Sequence, residues 1–334
     1  MINMTTLCTS HSEFCRKGFY HTCKLLGISS LLLLGGCASF QSNPTELSVQ
    51  RQIERQQKVY ELTEEPQKQE KLTLKEYEAL GDRYLIQNDI EKAYMNYVKA
   101  LAIDPNKISL LHKQGKILGK KNRHADAEKV YRFLLAKSEE DALAYEGLGQ
   151  ALLGLKKIKA AEDALLTAIA LDDELWRAHH FLALIYGTEQ QYGRAVKEFK
   201  KALSYRPQDS SLLNNLAVTY YLNGQYAEAE KILTILTRNS KDKKVYNNLA
   251  IVCVQRGKFE KALSAFKRGT KDEAYAYNNI GFEYLTHRRY KEAIVALEKA
   301  LELNPQFYPT AYESLEKARK GLALTTATLK EEPL

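Results

Sequence analysis

Chain-breaking residues are few, with seven prolines and 17 glycines among 334 residues. That scarcity points to mainly helical structure. Hydrophobic residues make up 45% and charged residues 27%, which excludes low-complexity disorder for most of the chain. The 49 basic and 41 acidic residues leave a formal charge of +8, with both signs spread along the length. No run of about five or six Lys or Arg occurs, so no stripe can track a phosphate backbone. A nucleic-acid partner is therefore not expected, although the net charge fits weak contact with an anionic surface.

Enzyme signatures are missing as well. Gly147-Leu148-Gly149-Gln150-Ala151-Leu152 fails as a dinucleotide fingerprint, because Leu152 stands where Gly or Ala is needed. The segment from Gly115 to Gly119-Lys120-Lys121 is one residue short of a phosphate loop and lacks its Ser or Thr. His179 and His180 are adjacent, so on a helix they diverge and make a poor metal pair. Neither His-Glu-x-x-His nor Gly-x-Ser-x-Gly is present. Catalysis, metal and cofactor are not expected.

Long apolar runs are absent too. Leu25 to Leu34 is about half of the roughly 20 residues a spanning helix needs. Arg16, Lys17 and Lys24 precede this run, and Gly35-Gly36 follow it. A positive flank, a short apolar core and small residues before a cut describe an export signal over residues 1–36. Leu34-Gly35-Gly36-Cys37 resembles the bacterial lipobox. The resemblance implies that the Cys37 thiol takes a diacylglyceryl group and that cleavage before it frees an amine for further acylation. Two or three chains, at about 0.8 kcal/mol per buried CH₂, exceed what stable anchoring requires. Ala38 follows, where Asp would retain such a lipoprotein in the inner membrane. The expected location is therefore the outer membrane, facing the periplasm.

Of the five cysteines, Cys8, Cys15 and Cys23 leave with the signal and Cys37 is lipidated. Cys253 alone remains, which excludes an internal disulfide in the mature body and reads as a core thiol. Residues 38–72 are rich in Gln, Glu, Lys and Ser, with Pro44 and Pro66. Together with Cys37 they read as a partly helical polar tether over 37–73. As a coil it would span roughly 30–35 Å root-mean-square.

What is abundant is repetition. Ala93, Ala127, Ala161, Ala195, Ala229, Ala262 and Ala293 lie 34, 34, 34, 34, 33 and 31 residues apart. Gly81, Gly115, Gly149, Ala183, Ala217, Ala250 and Gly281 keep the same spacings. So do Tyr84, Leu118, Leu152, Tyr186, Tyr220, Cys253 and Tyr284. Pro105, Pro207 and Pro305 end three of the units, since proline disfavours a helical residue before it.

This pattern resembles the tetratricopeptide repeat. The resemblance implies an all-α superhelix of about seven helix–turn–helix units over 74–307, with a capping helix and tail over 308–334. The units begin at 74, 108, 142, 176, 210, 243 and 274. The sixth is short by three residues, which predicts a clipped second helix near Gly269. After Pro309, the spacing of Tyr312, Leu315 and Leu322 predicts the face of the capping helix, which an open-ended solenoid needs.

In related repeats the fifth and sixth places of each first helix reach an inner groove. In the last three units these are Asn214-Asn215, Asn247-Asn248 and Asn278-Asn279. Amides offer donors and acceptors together and can pair with an extended peptide backbone. The expected partner is thus a protein or peptide segment. The first four units carry Glu78, Ala79, His112, Lys113, Glu146, Gly147, His180 and Phe181 at these places, a mix that fits a solvated face or a second surface with its own preference.

Lipobox and repeats together resemble the tight-adherence (Flp) pilus lipoproteins of the TadD group, with the stretch from Ala276 to Tyr308 most alike. That likeness implies a scaffold role in pilus assembly, with a secretin or other pilus component as partner. Type IV pilotins and envelope adaptors that recruit periplasmic hydrolases or proteases share the same features.

Overall fold

The computed structural model describes residues 51, 54–55, 72–270, 272–304 and 309–331, with the backbone alone at 309 and 326–331. The export signal, Cys37 and most of the tether lie outside the described residues. Among those described there are fifteen helices and no strand. They are α1 (Leu74–Ile86), α2 (Ile90–Ile103), α3 (Ile108–Lys120), α4 (His124–Lys137), α5 (Ala142–Gly154), α6 (Ile158–Leu171), α7 (Trp176–Thr188) and α8 (Tyr192–Tyr205). Then come α9 (Ser210–Leu222), α10 (Tyr226–Asn239), α11 (Lys243–Gln255), α12 (Phe259–Thr270), α13 (Glu273–Thr286), α14 (Tyr290–Leu303) and α15 (Pro309–Glu331). No helix among the described residues is long and apolar enough to cross a membrane. The fold is all-α, built of helix–turn–helix pairs.

Two compact units make up the chain, and the boundary between them falls within α7, between Ile185 and Tyr186. Unit 1 holds the hairpins α1–α2, α3–α4 and α5–α6, and unit 2 holds α9–α10, α11–α12 and α13–α14, closed by α15.

Local chemistry explains where the helices start. Thr73 and Glu76 form a capping box at α1, each side chain accepting the other's backbone N–H. Asp141, Asp209, Asp242 and Asp272 cap α5, α9, α11 and α13 by accepting N–H groups of the first turn. Within each hairpin the turn passes through one left-handed residue. Gly224 (φ 75°) and Gly257 (φ 69°) suit that conformation. Asn88, Asn122, Lys156, Gln190 and Arg288 adopt it with side chains, at φ between 57° and 62°. All seven stand at the same place of the repeat.

The periodic small residues are packing devices. The seven periodic alanines are at most 1% exposed. The periodic glycines admit large side chains from the second helix of the hairpin. A Cβ added at Gly81 would lie 2.3 Å from the Tyr97 ring, one at Gly149 2.5 Å from Leu165 and one at Gly281 2.5 Å from Leu297. Tyr131 on α4 is held from two sides, by Gly115 on α3 and by Gly147 on α5. Burying such a ring against backbone removes about 150–250 Å² from water.

The helix α12 has 12 residues, where the other second helices have 14. At its end Gly269 packs under Asn247, whose Oδ1 would sit 2.7 Å from an added Cβ. The capping helix α15 differs from expectation in its buried face. Ala311, Ser314, Leu315 and Ala318 pack inward, whereas Tyr312 is 52% exposed. Small residues at i, i+3 and i+7 let α15 lie close against α14 with Leu315 packed between them, and Tyr312 falls beside that stripe.

The Cys253 thiol is fully buried in α11. Burial, with the nearby Glu230 charge, pushes its pKa up to about 11. A chain carrying Cys253 as its sole cysteine should react with a thiol reagent about a hundredfold more slowly when folded than in denaturant. A stopped-flow rate near that of the denatured chain would show an accessible thiolate instead.

Candidate functional site

The two units present different chemistry at the expected groove positions. In unit 1 these side chains are largely committed to one another. Lys113 Nζ lies 2.7 Å from Glu78 Oε1 and 2.8 Å from Asp82 Oδ2. Tyr97 donates to Asp82 at 2.6 Å, and burial with that carboxylate pushes the phenol pKa well up. His112 Nε2 is 2.7 Å from Asp141 Oδ2. Glu146 is buried, which raises its pKa, while Arg177 and Lys116 pull the other way. Gly147 lies against Tyr131, and His180 stacks on Phe181 with centroids 5.4 Å apart. His179 Nε2 sits 3.0 Å from the Asp173 carbonyl. Ala79 is exposed.

In unit 2 the six asparagines are placed unequally. Asn214, Asn215 and Asn248 are each 6% exposed. Asn248 Nδ2 donates to Asn214 Oδ1 at 2.9 Å, which joins α11 to α9. Asn247 is half-buried and turned toward Gly269 on α12, its Oδ1 without a partner. Asn278 and Asn279 are half-buried, and no hydrogen bond to either side chain is present among the described residues. The structure therefore joins Asn214 and Asn248, leaves Asn278 and Asn279 open, and directs Asn247 into its own hairpin.

A second cluster in unit 2 was not legible as a motif. Glu230 on α10 is 5% exposed and gathers three cations from the next hairpin. Lys258 Nζ is 2.9 Å away, Lys261 Nζ 2.6 Å, and Arg256 also contacts it. Burial raises the carboxyl pKa, but hydrogen bonds from Lys261 and Lys258 and the charge of Arg256 outweigh it and hold it at about 2. Similar bridges run from second helices to the following turn or helix: Glu91 to Lys121 and Glu128 to Lys157 in unit 1, and Glu298 to Arg319 in unit 2. Glu128 and Glu230 stand at equivalent places of their units, as do their partners Lys157 and Lys258, whereas Glu91 and Glu298 lie at other places, so only part of the array shares the bridge.

The family model of the cilia and flagella-associated protein 70 C-terminal domain, a tetratricopeptide-repeat family, matches residues 45–278. The chain belongs to this family. A single tetratricopeptide-repeat model also matches residues 274–307. Among curated relatives, BBSome complex member BBS4 of Bos taurus is 24% identical over 233 residues, 69% of this chain and 45% of the relative. The type IV pilus assembly protein PilF of Pseudomonas aeruginosa is 28% identical over 131 residues, 38% of this chain and 52% of the relative. The chain thus spans about half the length of these relatives. A solved structure of PilF aligns with a TM-score of 0.53 at 21% identity, covering 65% of this chain and 96% of that one, a likeness of fold. Tetratricopeptide-repeat proteins are scaffolds that bind protein or peptide partners.

Proposed function

We propose that this tetratricopeptide protein is a lipid-anchored scaffold of the outer membrane, facing the periplasm. It holds a partner on the asparagine-bearing face of unit 2 during pilus assembly of the tight-adherence (Flp) kind, as in the TadD group. The partner is a secretin or another pilus-assembly component. The observation that carries partner binding is the amide face itself. The Asn214–Asn248 hydrogen bond draws the first helices α9 and α11 together, and Asn278 and Asn279 on α13 offer unpaired amides beside them. The Leu34-Gly35-Gly36-Cys37 motif supports the anchor, and the PilF relative supports the pilus setting.

The test is a crosslinked pull-down from the native envelope, read by mass spectrometry, with wild type beside Asn278→Ala/Asn279→Ala. Recovery of secretin or pilus subunits by wild type, lost or reduced about tenfold in the double variant, is the expected result. Recovery of hydrolases or proteases without pilus components would overturn the pilus role. Incorporation of an alkyne fatty acid should be abolished by Cys37→Ser, and persistent labelling would overturn the anchor.

A further inference from the structure

Glu283 stands on α13 four residues beyond Asn279, so the two project from the same side of the helix. Its Oε1 accepts from Tyr221 Oη of α9 at 2.7 Å and from Gln255 Nε2 of α11 at 2.9 Å. His287 Nε2 lies 3.2 Å from the same oxygen. One carboxylate oxygen of α13 thereby collects groups from the first helices of the two preceding hairpins and from the residue that ends its own helix. Tyr221 follows Asn214 by seven residues, and Gln255 follows Asn248 by seven, so amides and carboxylate share one face.

All these contacts converge on Oε1, while Oε2 has no partner among the described residues. The side chain keeps 12% of its surface open. Tyr221 and Gln255 are neutral, so they fix the carboxylate without cancelling its charge. His287 cancels it only when protonated. Arg256, at the end of α11, and Arg289, at the start of α14, are engaged by Glu230 and Glu292, and Arg288 lies exposed in the turn. A fixed, mostly buried carboxylate with one open oxygen is complementary to a cationic N–H donor.

We infer that Glu283 anchors a lysine or arginine side chain of the segment held on this face. The inference rests on the partner-binding reading above and adds the chemistry of the partner: an extended segment with a basic residue placed to reach the end of the amide row.

The test selects binders from a random linear peptide library on the purified chain. Selected peptides are expected to share a Lys or Arg. Replacing it by norleucine or citrulline should weaken binding to the wild-type chain about tenfold or more. Glu283→Gln should erase that difference, and Asn279→Ala should weaken binding whether or not the peptide is basic. The peptide substitutions on the wild-type chain carry the test even where Glu283→Gln fails to fold. Peptides that depend on Asn279 but bind equally well without their basic residue would overturn the role of Glu283 and leave the binding face standing. Recovery of no peptide, or only of peptides indifferent to Asn279→Ala, would overturn both.

Discussion

Tyr131→Ala is expected to destabilise unit 1 by about 3–5 kcal/mol, the cost of removing a large buried aromatic side chain. The ring is 6% exposed. It lies between two glycine backbones, with Cζ 2.6 Å from where a Cβ on Gly115 would stand and 2.2 Å from one on Gly147. Neither wall carries a side chain that could swing into the vacated space, so the cavity cannot collapse cheaply. The same geometry makes Gly147→Ala harmful by overpacking, by about 1–3 kcal/mol. Urea unfolding followed by circular dichroism would measure both. Because repeats unfold in local groups, the loss should appear in the first transition if the curve resolves into two. A Tyr131→Ala midpoint within experimental error of wild type would show that the hairpins α3–α4 and α5–α6 do not depend on this wedge.

The second large effect is expected at Glu230. Its side chain is 7% exposed, and the carboxylate touches Arg256, Lys258 and Lys261. Its pKa falls from 4.5 to about 2 on folding. A depressed carboxyl pKa stabilises the folded state at pH values above 4.5, and that contribution fades as pH falls toward 2. The displacement corresponds to about 3 kcal/mol at neutral pH. Glu230→Gln should therefore lose about 3 kcal/mol at pH 7, with three cations left facing a neutral amide. At a pH near the folded pKa the two chains should converge. Urea midpoints at pH 7 and near pH 2.5 would check this, and a constant gap between the chains would refute the ionic origin. Salt should narrow the gap little, because the carboxylate is shielded from solvent.

The helical hairpins were readable because their determinants are periodic. One small residue per unit at Ala93, Ala127 and their equivalents, and a second at Gly81, Gly115 and theirs, must recur wherever two helices approach closely. What the glycines admit was less readable. They face Tyr97, Tyr131, Leu165 and Leu297, side chains whose size varies from unit to unit. The capping helix shows the limit of apolar spacing: Tyr312 looked like a core residue, but Ala311 and Ser314 do the packing. At the candidate site, the asparagine pairs stand out in sequence because they repeat. Their unequal fates lie in contacts made in space: Asn247 sits against Gly269 of α12, and Asn248 meets Asn214 across neighbouring first helices. Glu283 carried no signal, since Tyr221, Gln255 and Glu283 occupy different places in their own units and meet only in space.

The turn residues bear on how this chain can change over evolutionary time. Lys156, Gln190 and Arg288 hold a left-handed backbone that disfavours a side chain by about 1 kcal/mol each. Three such positions amount to about 3 kcal/mol, a sizeable part of the roughly 5–15 kcal/mol that separates a typical folded domain from its unfolded chain. Drift between glycine and longer residues at these turns would therefore tune the heat tolerance of each repeat. It would do so without disturbing the buried alanines, the amide face or the carboxylate of Glu283, so stability and recognition in this lineage can evolve on separate residues.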